Sequence, residues 1–231
     1  EKALSFESAN FAAMNNLANS HKRLFEYKKA EDLYIEIIKK DPTNIKAFNN
    51  YANLKKEFNK YHDAINLLLK ALDINKKDIN ILSNIAACFQ SIGDINKAEE
   101  YALKVLNIEP NNTHIHKFIS DMTDYREDAN HLKTMKGLLH SNNFKNFTSK
   151  EKADLYFALG KSHEDIGDFE NSYYFLNQAN LNMKQNKKYN FSHIERLFDN
   201  IIKLFNSLDE KILKKKKSKK NIIFICGMPR S

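Results

Sequence analysis

The chain has 231 residues, of which 42% are hydrophobic, with only 5 glycines, 3 prolines and a formal net charge of +8. This composition supports one sizeable core or an extended stack of helices, and so few chain-breaking residues favour long helices joined by short turns. The longest apolar run, Ile222–Cys226, is too short to span a bilayer, so no membrane span is predicted. The two cysteines, Cys88 and Cys226, form no metal or disulfide pattern and lie in apolar surroundings, which favours a reducing, cytoplasmic location.

A repeat of 34 residues runs without a gap through Phe11–Asn44, Ile45–Asp78 and Ile79–Asn112. When each block is numbered from its first residue, the alanines common to all three lie at position eight (Ala18, Ala52, Ala86) and position twenty (Ala30, Ala64, Ala98). Small residues let two helix axes cross closely, so the pattern predicts a helix–turn–helix unit in each block. Gly93 suits a left-handed turn between the two helices of the third block.

Proline at position 32, present as Pro42 and Pro110, ends the second helix because its ring cannot lie inside one. Repeat length, crossing alanines and this proline together resemble the tetratricopeptide repeat. The resemblance implies an all-α, superhelical solenoid of antiparallel helix pairs, with three units in residues 11–112. Residues 1–10 fit the end of a preceding repeat helix, so we expect the chain to be a piece of a longer protein.

Residues 113–152 are predicted to form a degenerate helix pair and a loop, because the small crossing residues are mostly lost there. Acidic residues crowd the bend and histidines lie nearby: Asp121, Asp124, Glu127, Asp128, His114, His116 and His131. A metal site is one interpretation, but no known ligand spacing is present. We therefore favour a solvated acidic turn and predict no metal site.

Residues 153–185 are predicted to be a further repeat unit, out of register with the first three. Thr148 and Glu151 have the spacing of a capping box ahead of its first helix. Gly160 permits a closer helix contact than alanine would. Residues 186–210 are predicted to be a capping and linker helix, opened by a second capping box at Ser192 and Glu195.

Residues 211–220 contain seven lysines and no acidic residue, and are predicted to be a self-repelling, extended linker. A patch that binds nucleic acid or an acidic membrane is the alternative interpretation. No aromatic residue is interleaved among the lysines to stack on bases, so we predict no nucleic-acid partner.

Asparagines recur on the first helix of each block, at position six in Asn16, Asn50 and Asn84 and at position nine in Asn19 and Asn53. We call these five residues the asparagine column. First helices line a concave groove in tetratricopeptide arrays, and each side-chain amide offers the donor and acceptor that complement one peptide unit. The column resembles an asparagine ladder of some repeat-bearing glycosyltransferases, which implies a protein or peptide partner in the groove. Local helix packing is the alternative explanation.

Residues 221–231 have the pattern of a buried parallel strand followed by a partial phosphate-binding loop. The strand is the run Ile222–Cys226, and the turn contains Gly227, Pro229, Arg230 and Ser231. Backbone N–H groups after such a strand point at bound anions, and the Arg230 guanidinium suits phosphate or sulfate oxygens. The residues alone are also compatible with a P-loop that begins at Gly227, and with an ordinary tight turn.

The segment Phe224–Ser231 resembles the start of the 5′-phosphosulfate-binding loop of sulfotransferases, and the preceding residues 155–199 resemble the linker of bacterial tetratricopeptide-repeat sulfotransferases, whose catalytic domain is similar to tyrosylprotein sulfotransferases. The resemblance implies transfer of a sulfuryl group from 3′-phosphoadenosine 5′-phosphosulfate to a hydroxyl, with protein tyrosine as one acceptor. It implies that Arg230 and Ser231 contact the co-substrate while Gly227 and Pro229 shape the loop. No catalytic residue is predicted in these 231 residues, so we expect no activity from them alone. The alternatives are a non-enzymatic scaffold and a repeat-linked P-loop NTPase or kinase.

Overall fold

The structure, a computed structural model, describes residues 10–127, 129–186 and 191–207. Over these ranges the protein consists of helices, turns and loops, which confirms the predicted all-α class. The chain divides into two compact units, Glu1–Asn186 and Lys187–Ser231, and each is described by itself. The predicted strand and phosphate-binding loop of residues 221–231 lie outside the described residues, as does the lysine-rich segment 211–220.

Six helices of similar length form three consecutive antiparallel pairs. They are α1 (Phe11–Arg23) and α2 (Tyr27–Lys40), α3 (Ile45–Glu57) and α4 (Tyr61–Ile74), and α5 (Ile79–Ser91) and α6 (Ile95–Ile108). The first helix of each pair begins after a capping side chain, because Asn10, Asn44 and Asp78 each accept a hydrogen bond from the backbone N–H three residues on. The last residue of one block therefore fixes the start of the next.

The alanines at positions eight and twenty are completely buried in all three pairs, which confirms that they lie at the helix crossings. Larger side chains at position four, Met14, Phe48 and Leu82, fill the space beside each crossing and are also buried. These small and large residues pack closely within each pair.

The turn between the two helices of each pair places its position-fifteen residue in the left-handed region. Gly93 has φ +82°, as predicted, while Asn59 has φ 56° and Phe25 has φ 61°. Glycine and asparagine tolerate this conformation, whereas a bulky residue such as phenylalanine rarely adopts it. The first pair therefore carries backbone strain that the third does not.

After the third pair the chain continues through α7 (Thr113–Ser120), α8 (Asn130–Leu139), a short 3-10 helix (Asn142–Asn146), α9 (Ser149–Asp165) and α10 (Phe169–Asn186). The two helices expected in residues 113–152 form, but α7 packs mainly against α9 and hardly touches α8. The buried hydroxyl of Ser120 contributes to this arrangement by donating to the backbone carbonyl of Ala158 in α9, at 3.1 Å.

Helices α9 and α10 make the most extensive helix contact of the first unit. The capping box of Thr148 and Glu151 is present at the start of α9, as predicted. Gly160 is buried against α10, where a Cβ atom would lie 2.7 Å from Leu176 Cδ2. This confirms that Gly160 allows a closer approach than any residue with a side chain.

The described part of the second unit is a single amphipathic helix, α11 (Phe191–Ser207), whose apolar residues Leu197, Phe198, Ile201 and Ile202 are exposed. The prediction that a capping box at Ser192 and Glu195 opens this helix is wrong, because the helix begins before Ser192. The helix already includes Phe191, so Ser192 lies within the first turn and not at the N-cap, and its carbonyl accepts a bond from Arg196 Nε at 3.1 Å.

Candidate functional site

The three first helices α1, α3 and α5 are connected by hydrogen bonds between asparagine side chains. Asn50 Nδ2 donates to Asn15 Oδ1 at 3.2 Å, and Asn84 Nδ2 donates to Asn49 Oδ1 at 2.8 Å. Position six of one block thus meets position five of the block before it. We call the surface of α1, α3 and α5 that carries the asparagine column the first-helix face.

These bonds use only part of the hydrogen-bonding capacity of the column. A side-chain amide has two N–H donors and an oxygen that accepts twice, so Asn50 keeps one N–H and its oxygen for another partner. Asn84 is more engaged, because its oxygen also accepts from Lys56 Nζ at 3.4 Å. Asn16 and Asn53 bond through their side chains to no other residue in the part of the chain that the structure describes.

Asn19 is held by a residue of the second helix. The hydroxyl of Tyr34, whose side chain is fully buried in α2, donates to Asn19 Oδ1 at 2.7 Å. Burial of the phenol, with a smaller contribution from Glu57, raises the pKa of Tyr34 to about 12. The neutral hydroxyl therefore fixes the orientation of the Asn19 amide and leaves its N–H groups for another partner.

Sequence analysis missed the partners of the column. Asn15 and Asn49 at position five accept the cross-helix bonds. A separate ion pair, between Lys22 and Glu57 at 2.9 Å, also joins the first two blocks. The available signal was the spacing of 35 residues between positions five and six of neighbouring blocks. It becomes informative only once the offset between parallel helices is known.

Two of the histidines near the acidic bend, His116 and His131, bond to each other. His116 Nδ1 lies 2.9 Å from His131 Nε2, His116 Nε2 lies 2.9 Å from the Pro110 carbonyl, and the Tyr125 hydroxyl lies 2.6 Å from His131 Nδ1. A carbonyl only accepts, so His116 donates to Pro110, His131 donates to His116, and Tyr125 donates to His131. Asp124 is instead paired with Arg126, which holds the pKa of that carboxyl at about 2. Among the described residues, no three His, Cys, Asp or Glu side chains are arranged to hold a metal ion.

Acidification is expected to destabilise the fold through His116. Burial lowers the pKa of this imidazole below its ordinary value of 6.5, and the bond to Pro110 opposes that effect only in part. Below pH 6.5 the unfolded chain binds more protons at His116 than the folded chain does. The stability that the neutral His116 contributes is therefore fully present above pH 6.5 and is lost as the pH falls towards the lowered pKa. Between about pH 7.5 and about pH 5, the melting temperature should fall less for His116→Gln than for the unaltered protein. An equal loss in both would contradict this assignment.

Sequence models of the tetratricopeptide repeat match residues 11–40, 33–66 and 55–121. Together they span the three helix pairs and continue into α7. Residues 11–121 are tetratricopeptide repeats. Comparison with curated protein sequences gives no significant match.

Solved tetratricopeptide-type structures share the fold at low sequence identity. BtubC (BKLC) from P. vanneervenii has a TM-score of 0.64 at 14% identity, covering 82% of this chain and 87% of that one. MamA has a TM-score of 0.58 at 13% identity, covering 74% and 97%. YrrB, described as a TPR protein with an unusual peptide-binding site, has a TM-score of 0.55 at 15% identity, covering 80% and 92%. These similarities show the solenoid fold of the tetratricopeptide repeats.

The remaining predicted site residues, Gly227, Pro229, Arg230 and Ser231, lie outside the described residues, so the expected contacts with 3′-phosphoadenosine 5′-phosphosulfate stay predictions. None of the described helices combines the length and apolar character required to cross a lipid bilayer.

Proposed function

We propose that the tetratricopeptide repeats bind an extended peptide segment of a protein partner on the first-helix face. The observation that carries the proposal is the set of amide groups that Asn16, Asn50 and Asn53 leave unused after the cross-helix bonds are made. The peptide-binding site reported for YrrB, which has a similar fold, supports an interaction role for such an array.

Hydrogen bonds within the protein hold some amides of the first-helix face in fixed orientations, which favours peptide binding. Because Asn50 is held by Asn15 and Asn19 is held by Tyr34, their remaining polar atoms are fixed in direction before a ligand arrives. Binding then costs less side-chain entropy than it would with free amides. Amides that bond to a peptide backbone impose little restriction on its side chains, so we expect a partner defined by extended conformation more than by sequence.

The test uses peptides selected on the chain from a phage-displayed random library. Asn16→Ala combined with Asn53→Ala should weaken binding roughly tenfold, since two hydrogen bonds are each worth about 0.5–1.5 kcal/mol. The melting temperature should hold or rise, because neither side chain bonds to another described residue and alanine favours the helix more than asparagine does. Asn50→Ala and Asn84→Ala should in addition lower stability, because they break the bonds to Asn15 and Asn49.

The matched control is Asn66→Ala combined with Asn96→Ala, two exposed asparagines on the second helices α4 and α6. This pair should leave peptide affinity unchanged. Equal losses in the Asn16/Asn53 variant and in the control, or no loss in either, would remove the first-helix face from the binding site and return the column to a packing role.

We propose secondly that the protein is a sulfotransferase whose repeats capture the acceptor protein. Support comes from the sequence Phe224–Ser231, which resembles a 5′-phosphosulfate-binding loop, and the resemblance implies that the Arg230 guanidinium would stabilise charge on the leaving phosphate. The test is transfer of labelled sulfate from 3′-phosphoadenosine 5′-phosphosulfate to tyrosine peptides by the protein at its natural length, with Arg230→Ala expected to abolish it. If the protein neither transfers sulfate nor binds the desulfated nucleotide, the result would favour the scaffold. Hydrolysis of a nucleoside triphosphate would favour a P-loop NTPase.

A further inference from the structure

A small pocket lies between the start of α2 and the end of α3, and its lining includes none of the five residues of the asparagine column. Its volume is about 180 Å³, and its apolar walls are Tyr27, Leu54 and Phe58. Lysines 28, 55 and 60 surround it, and Glu31 is the one acidic residue that lines it. We call it the aromatic pocket. Ligand sites for drug-sized molecules occupy roughly 300 Å³ or more, so this one matches a single bulky side chain.

Two positions that are apolar and buried in the next interface carry charged residues at this pocket. In the next interface, between α4 and α5, position twenty-one is Ile65 and position eleven is Phe89, and both are buried. The same positions in the first interface are Glu31 and Lys55, whose carboxylate and ammonium groups are 2.7 Å apart. A polar pair therefore forms the floor where the neighbouring interface has a filled apolar core.

The charge around the pocket is positive. Glu31 accepts from Lys55 and from the Tyr51 hydroxyl, and these bonds lower the pKa of its carboxyl, so its charge is already matched. Lys28 is paired with Asp32 at the exposed surface. Lys60 forms no ion pair with any residue that the structure describes, so it is available to an acidic partner.

Three aromatic rings contact one another at the pocket, and two of them, Phe25 and Phe58, are exposed. Tyr27 and Phe58 meet edge to face, with ring centroids 4.8 Å apart, and Phe25 meets Tyr27 in the same way at 6.1 Å. Phe25 is 77% exposed and has φ 61°, so its backbone is strained at a position that glycine and asparagine occupy in the other pairs. Such strain costs stability and gives almost no burial in return, which is the pattern expected when a residue is retained for a contact with a partner.

We propose that the aromatic pocket binds an acidic protein segment that places one bulky apolar side chain against Tyr27, Leu54 and Phe58. Lys60, which forms no ion pair with a described residue, fits an acidic side chain of the segment, and the pocket volume fits the apolar anchor. Single-stranded RNA also binds lysines and aromatic residues, but its bases stack on ring faces. The rings here are nearly perpendicular, at 77° and 83°, and form no parallel platform.

The probe is a fluorescein-labelled hexapeptide, Asp-Glu-Asp-Phe-Glu-Asp, and binding to the whole chain is followed by fluorescence anisotropy. We expect saturable binding that weakens with added salt. The affinity for the peptide should fall at least about tenfold in Phe58→Ser and in Lys60→Glu. A peptide with Ala in place of Phe should bind at least about tenfold more weakly. The control Lys77→Glu, in an exposed turn after α4, should bind like the unaltered protein.

Phe25→Gly separates a binding role from a folding role. Glycine relieves the left-handed backbone, so the melting temperature should hold or rise while peptide affinity falls. Several results would overturn the proposal. These are no saturable binding up to millimolar peptide, equal affinity for the Ala peptide, unchanged affinity in Phe58→Ser, or tighter binding of oligouridine than of the peptide. Competition by a peptide selected on the first-helix face would also overturn it.

Discussion

Tyr34→Ala is expected to lower the free energy of unfolding by about 3–5 kcal/mol, the range for truncating a buried aromatic ring to alanine. Tyr34 is among the largest fully buried side chains of the described residues, and its ring packs beside Tyr51 at 6.1 Å between centroids. The loss combines the apolar area removed from the interface of α1, α2 and α3 with the cavity that remains.

Tyr34→Phe provides the matched comparison, because it keeps the ring and removes only the hydroxyl that bonds Asn19 at 2.7 Å. We expect a cost of about 1 kcal/mol for this single hydrogen bond. Urea unfolding followed by circular dichroism measures both variants. Similar values for Tyr34→Ala and Tyr34→Phe would show that packing of the ring contributes little, contrary to its burial.

Gly160→Val is expected to destabilise the contact of α9 with α10 by about 1–3 kcal/mol, the usual cost of overpacking a close contact. A Cβ atom at Gly160 would lie 2.7 Å from Leu176 Cδ2 and 2.8 Å from Leu176 Cγ. Both helices would have to separate to admit it, and the packing around Ala158 and Leu159 would loosen with them. Thermal unfolding gives the readout.

Gly137→Ala is the control for Gly160, since it also lies in a helix but has no atom within 4 Å of an added Cβ. Alanine there should hold or raise stability by up to about 1 kcal/mol, because it restricts the unfolded chain and favours the helix. Leu176→Ala should partly rescue Gly160→Val by providing space. Destabilisation of equal size at both glycines would contradict the close-contact explanation.

Much of the repeat architecture follows from local chemistry and could be predicted. Ala18 and Ala30 are small because two helices cross there, and Gly93 occupies a left-handed turn, so each position reports its own environment. The left-handed Phe25 could not be predicted, because nothing in its own chemistry favours that backbone. Only its position fifteen, shared with Asn59 and Gly93, indicates it.

The asparagine column shows the limit of sequence analysis for the site. The side chains of Asn16, Asn50 and Asn84 are chemically identical. Asn50 and Asn84 nevertheless bond to the first helix of the preceding pair, whereas the Asn16 side chain bonds to none of the residues that the structure describes. The partners of Asn50 and Asn84 lie 35 residues earlier in the chain, and for Asn16 that position is not among the described residues. Which side chains meet across this spacing depends on how far one first helix is shifted against the next, which is a tertiary property. For the same reason, the packing of α7 on α9 was not evident from residues 113–152.

The most direct test of the account follows the side-chain amide signals of asparagine by nuclear magnetic resonance while a library-selected peptide is added to the whole chain. We predict that the Nδ2 signals of Asn16, Asn19 and Asn53 shift together and saturate with one dissociation constant, while those of Asn66 and Asn96 stay unchanged. If the peptide binds but no signal of the asparagine column moves, the first-helix face is not the binding site and the central claim is wrong.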